Sequence, residues 1–122
     1  MSIQSQAILI GHLRPHEVLA MVKVVTGCDT DLRAGHKDSY KMIEIAGPAG
    51  VEVIHLSLDS SVAEDYPDVT DEPSTFMSVQ SSPFASGMIR RVVEVRGGFF
   101  RRSETEEWVK IDPMIAAPAR PA

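Results

Sequence analysis

The sequence predicts an α+β domain in which two helices lie on one face of a mostly antiparallel sheet. Three observations predict it. Two stretches carry apolar residues at helical spacing behind a proline, five short runs read as strands, and two of those runs are joined by Gly-Pro-Ala-Gly.

Taken in order, Ala7–His12 (AILIGH) is a short apolar run and reads as the first strand. Pro15 opens a helix, since proline is tolerated at the first helical position, and Val18, Met21, Val22 and Val25 make one apolar face. Gly27 stands where a C-terminal glycine cap belongs. The valines lower intrinsic helix propensity, so this helix needs a sheet to pack on. Cys28–Ser39 is polar and reads as turn. Tyr40–Ala46 and Val51–Leu58 form a hairpin, with Ile43 and Ile45 on one face of the first strand and Ile54, Leu56 and Leu58 on one face of the second. Glu44, His55 and Ser57 mark the opposite, wetter face.

Asp59–Ser82 is rich in Asp, Ser, Thr and Pro and reads as a long acidic loop, pinned by Val62, Tyr66, Val69, Phe76, Met77 and Val79. Ser82-Pro83 is a strong helix start. Ala85, Met88, Ile89 and Val92 supply the stripe of the second helix, which Gly97-Gly98 ends. Phe99–Arg102 and Trp108–Ile111 make a closing hairpin. The expected order is therefore β-α-β-β-α-β-β, a ferredoxin-like variant.

At 122 residues, with 43% apolar and 24% charged residues, the chain fits one globular domain over 1–112, followed by a Pro/Ala-rich tail over 113–122. The single cysteine, Cys28, cannot form an internal disulfide, which favours a reducing compartment. The start carries no basic n-region, and Ala7–Ile10 is too short to span a membrane. A cytoplasmic protein without membrane contact is expected.

A formal charge of −5 argues against direct nucleic-acid binding. The charge is also unevenly spread. Residues 42–89 hold no Lys or Arg, and Asp59, Glu64, Asp65, Asp68, Asp71 and Glu72 crowd into the loop. Six carboxylates without a local cation can dock a basic partner, mimic nucleic-acid phosphates or gather cations, or simply solvate the loop. Arg90, Arg91, Arg96, Arg101 and Arg102 gather within thirteen positions. They form an anion or interface patch together with Phe100, or pair with the acidic loop and the helix dipole. Strand alternation puts Phe99 and Phe100 on opposite faces, one in the core and one exposed. Trp108 is expected in the core.

No catalytic or metal site is expected. Cys28, His12, His16, His36 and His55 lack the paired spacing of zinc ligands, and a cysteine nucleophile would need a histidine delivered by the fold. No phosphate-cradling glycine loop is present, and no cofactor is expected.

The run from Ile89 to Ile111 (IRRVVEVRGGFFRRSETEEWVKI) resembles the close of small α+β toxin-immunity-type proteins and phage-encoded inhibitors. That resemblance implies a bacterial or phage setting and an occlusive, protein-binding role. The leading expectation is thus a stoichiometric binding module acting on a basic protein partner through the acidic loop and closing hairpin. The alternatives are a homo-oligomeric structural or accessory phage protein, and a small-ligand-binding protein or enzyme using the arginine cluster.

Overall fold

The computed structural model describes residues 4–37, 40–48, 50–57, 66, 68–70, 72–80 and 82–113. Among these the chain runs β1 (Gln4–Ile10), α1 (Pro15–Thr26), β2 (Thr30–Lys37), β3 (Tyr40–Gly47), β4 (Gly50–Ser57), β5 (Ser74–Gln80), α2 (Pro83–Arg96), β6 (Gly98–Arg101) and β7 (Val109–Ile111). The strands form one sheet in the order β2-β3-β4-β5-β1-β6-β7. Every pairing is antiparallel.

The α+β class holds, with two helices against an antiparallel sheet, but the strand order is not the ferredoxin-like one. Two strands account for the difference. The polar stretch after Cys28 is not a turn: Thr30–Lys37 pairs with β3 as an edge strand. Edge strands tolerate polar and charged side chains because only one flank is paired, and Asp31 and Arg33 are exposed here. Nor does the acidic loop run on to Ser82. Its last third is β5, which sits between β4 and β1 near the middle of the sheet.

β5 is central despite its hydroxyls because the two most buried, those of Ser74 and Thr75, have partners. Thr75 Oγ1 donates to the Gly11 carbonyl at 2.9 Å and accepts from the Leu13 N–H at 3.0 Å. Ser74 Oγ donates to the Glu72 carbonyl at 2.9 Å. A buried hydroxyl that is hydrogen-bonded carries little penalty.

The helices form where their end signals place them. In α1 the Arg14 N–H donates to the Glu17 carboxylate at 3.0 Å, and Gly27, at φ 68°, closes the other end by donating to the Lys23 carbonyl. In α2 the Ser82 hydroxyl accepts from the Ala85 N–H at 3.0 Å. Val18, Val22 and Val25 from α1 meet Ala85, Met88, Ile89, Val92 and Val93 from α2 over the sheet residues Ala7, Leu9, Ile43, Ile45, Ile54, Leu56, Met77 and Val79. That is the main core. No helix among the described residues is long and apolar enough to cross a membrane.

Ile8 lies outside this core yet is fully buried. Its strand neighbours Ala7 and Leu9 face the helices, so alternation turns Ile8 to the other side of the sheet. There its cross-strand partners are Phe76 and Phe99. A second, smaller apolar cluster therefore sits on the opposite face, which carries no helix among the described residues.

Candidate interaction surface

The helix-free face is built from alternate residues of the central strands: Gln6 and Ile8 of β1, Phe76 and Ser78 of β5, Phe99 and Arg101 of β6. Tyr66 comes down on this face from the acidic segment. Its ring stacks on Phe76 with centroids 5.7 Å apart and meets Trp108 edge-on at 5.5 Å. The Arg101 guanidinium lies 4.4 Å from the Trp108 ring centroid and 5.8 Å from that of Tyr66. Its Nε donates to Gln6 Oε1 at 2.7 Å, which fixes the plane of the group. Arg101, Tyr66 and Trp108 are each half-buried, so the cluster is both anchored and accessible.

Trp108 thus belongs to this second cluster and not to the main core. It is joined to the body by a half-buried aromatic and a cation, a setting in which the indole keeps one side open. Carboxylates flank it in the chain. Glu104 and Glu107 in the hairpin turn are exposed, as is Asp68 two residues after Tyr66.

Across β4 and β3 the same face carries a polar pair. The Tyr40 hydroxyl hydrogen-bonds His55 Nδ1, and the two rings stack with centroids 5.7 Å apart. His55 stands in register with Met42 on one side and Ser78 on the other. The pair pins two neighbouring strands together and fixes the orientation of the imidazole.

Neither family models nor curated proteins match this chain. The geometry itself must therefore carry any reading of what the surface does.

The arginines do not form one patch. Arg90 pairs with Glu94 at 3.3 Å and lies over the Phe100 ring at 5.7 Å, while Arg91 borders the groove between α1 and α2. Arg96 is exposed at the end of α2, its Nε donating to the Ile10 carbonyl at 3.3 Å. Arg102 pairs with Glu106 at 3.1 Å. Among the described residues, then, Arg90 and Arg102 pair with carboxylates four residues on, and Arg91, Arg96 and Arg101 pair with none. Phe100 also leaves the expected interface: it is 6% exposed and part of the main core. Phe99 is the half-buried one, on the opposite face.

Of the acidic residues, Asp68 and Glu72 are exposed. Asp59, Glu64, Asp65 and Asp71 lie outside the described residues. Cys28 is half-buried, its Sγ 3.6 Å from the Thr26 carbonyl, and His12 and His16 are exposed on and before α1. Among the described residues no three His, Cys, Asp or Glu side chains gather as metal donors.

Sequence reasoning singled out Tyr66 and Phe76 as anchors, and they are. It missed Gln6 and Ser78, whose place on the face depends on β1 and β5 being neighbours. It also missed the Tyr40–His55 bond, although both residues fall on the wetter face of one hairpin. That register was the signal available.

Proposed function

We propose that this protein is an intracellular protein-binding module that engages a basic partner through its helix-free face, at the junction of the acidic segment and the closing hairpin. One observation carries the reading. Tyr66 of the acidic segment packs edge-on against Trp108 of the closing hairpin, with Arg101 over both rings. The two features that the sequence offered as separate interaction elements therefore adjoin.

Trp, Tyr and Arg are the residue types that dominate binding hot spots, particularly when half-buried and preorganised. Carboxylates stand close to both aromatic residues in the chain. Glu64 and Asp65 precede Tyr66 in the chain, Asp68 follows it, and Glu104 and Glu107 precede Trp108. An aromatic centre carried by acidic segments suits a partner with a basic surface and an apolar or planar group at its middle. The occlusive, inhibitor-type role implied by the C-terminal resemblance is the finer form of this proposal.

The experiment is affinity capture from bacterial lysate with the wild-type chain and with Trp108→Ala, at low salt and at about 1 M salt, where the screening length falls to about 3 Å. The expected result is one dominant basic protein held by the wild type at low salt, lost at high salt and lost with Trp108→Ala. Trp108 is the single tryptophan, so its emission reports the same contact on titration with that protein. A captured partner that binds Trp108→Ala as tightly as wild type, and leaves the emission unmoved, overturns the placement on this face.

A further inference from the structure

At one end of the sheet, where α2 stops and β6 begins, lies a cleft of about 440 Å³. That volume falls in the range of small-molecule sites. Ile10, Val69, Phe99 and Ile111 give it apolar walls, and the backbone of Gly97-Gly98 forms part of its rim. Four charged side chains of both signs also line it: Arg96 and Lys110, Glu72 and Asp112.

Oppositely charged side chains sharing one cleft commonly neutralise each other. These do not. The ion pairs among the described residues involve Arg33, Arg90 and Arg102, and none joins Arg96 or Lys110 to Glu72 or Asp112. Arg96 is held by its Nε bond to the Ile10 carbonyl, and its Nη2 would lie 3.0 Å from a Cβ placed at Gly11, so the guanidinium is fixed at the end of β1. A purely anionic ligand would meet Glu72 and Asp112, and a purely cationic one would meet Arg96 and Lys110. A molecule carrying one charge of each sign on a small apolar body satisfies both sets.

We propose that this cleft binds a small apolar zwitterion of the α-amino-acid class, its carboxylate toward Arg96 and Lys110, its ammonium toward Glu72 and Asp112, and its side chain against Phe99 and Ile111. This site shares Phe99 with the row beneath Tyr66 and Trp108, but it does not depend on the partner proposed for that surface.

The test is a titration of the full ¹⁵N-labelled chain with L-leucine, following backbone amide shifts. Saturable shifts are expected at Gly97, Gly98 and Ile111, with a dissociation constant on the order of 1 mM for so small a ligand. N-acetyl-L-leucine, which lacks the cation, and L-leucinamide, which lacks the anion, are each expected to bind at least about tenfold more weakly, as one charge-assisted contact set is lost. Arg96→Gln and Glu72→Gln are expected to weaken L-leucine similarly; Lys110→Gln gives a second cation variant on the edge strand, should Arg96→Gln disturb the fold. L-leucyl-L-leucine distinguishes a free amino acid from a peptide as the source: tighter binding by the dipeptide makes the ligand a peptide with free ends. Absence of saturable shifts with either compound overturns the proposal. So does binding that is indifferent to removing either charge, from the ligand or from the cleft.

Discussion

Gly98 offers the sharpest test of how β6 is seated against β1. Its φ is 152°, and a Cβ built on it would stand 2.0 Å from the Ile8 carbonyl oxygen and 3.2 Å from Leu9 Cα. All of these neighbours are backbone atoms of the central strand, so no side chain can swing away. Ordinary contact begins near 3.4 Å, and the two strands would have to part by more than about 1 Å at the Leu9–Gly98 pair. Gly98→Ala therefore combines backbone strain of about 1–3 kcal/mol with overpacking of about 1–3 kcal/mol. A net loss of about 3–5 kcal/mol is expected, a large part of the roughly 5–15 kcal/mol that holds a domain together. At about 4 °C per kcal/mol, the midpoint of thermal unfolding should fall by roughly 10–20 °C. Urea unfolding, followed by far-ultraviolet circular dichroism and by Trp108 emission, reads the same quantity through the midpoint, with the slope unchanged. A loss below about 1 kcal/mol would refute the seating of β6 on β1 described above.

Substitutions at four further positions are expected to behave differently. Gly87 lies inside α2 with nothing within 4 Å of a Cβ, so Gly87→Ala should stabilise by about 0.5–1 kcal/mol through helix propensity, measured by urea unfolding. Ile8→Ala removes the fully buried centre of the helix-free cluster and should cost about 3 kcal/mol, whereas Val24→Ala, at a residue 82% exposed, should stay within about 0.5 kcal/mol; equal effects would mean that the second cluster contributes nothing. Ser82→Ala deletes the cap on α2 and should cost about 1 kcal/mol, with Ser82→Asp expected to retain most of that stability.

The elements with strong local grammar were legible in the sequence. Both helices, their proline starts and their glycine ends read correctly, as did the β3–β4 hairpin and the closing hairpin. What failed to read was the pairing between distant segments. β5 looks like loop because Ser74, Thr75 and Ser78 are polar, and only the fold supplies Gly11 and Leu13 as partners for Thr75. β2 looks like turn because an edge strand needs few apolar side chains, and Leu32 is its single large one beside the core. With those two strands unread, β1 could not be seen to lie between β5 and β6. The Phe76–Ile8–Phe99 row was hidden for that reason, and with it the reversal of roles between Phe99 and Phe100.

The same topology explains why the candidate surface lies where it does. Seven strands about 4.8 Å apart make a sheet about 29 Å across, and the two helices among the described residues, each about 10 Å wide, lie on one face. The other face must be polar, covered or used. All three solutions are present, in separate places. Over β3 and β4 the face is polar, with Glu44, His55 and Ser57 half-exposed. Over β5, β1 and β6 it is apolar at Ile8, Phe76 and Phe99, and Tyr66 and Trp108 stand over that row. Two half-buried aromatics cover the apolar row, and both come from segments dense in carboxylates. Arg101 is held by Gln6 through Nε and by the Glu106 carbonyl through Nη1 at 3.5 Å, with its guanidinium 4.4 Å from the Trp108 ring centroid, and the proposed binding role rests on this preorganised cation and indole.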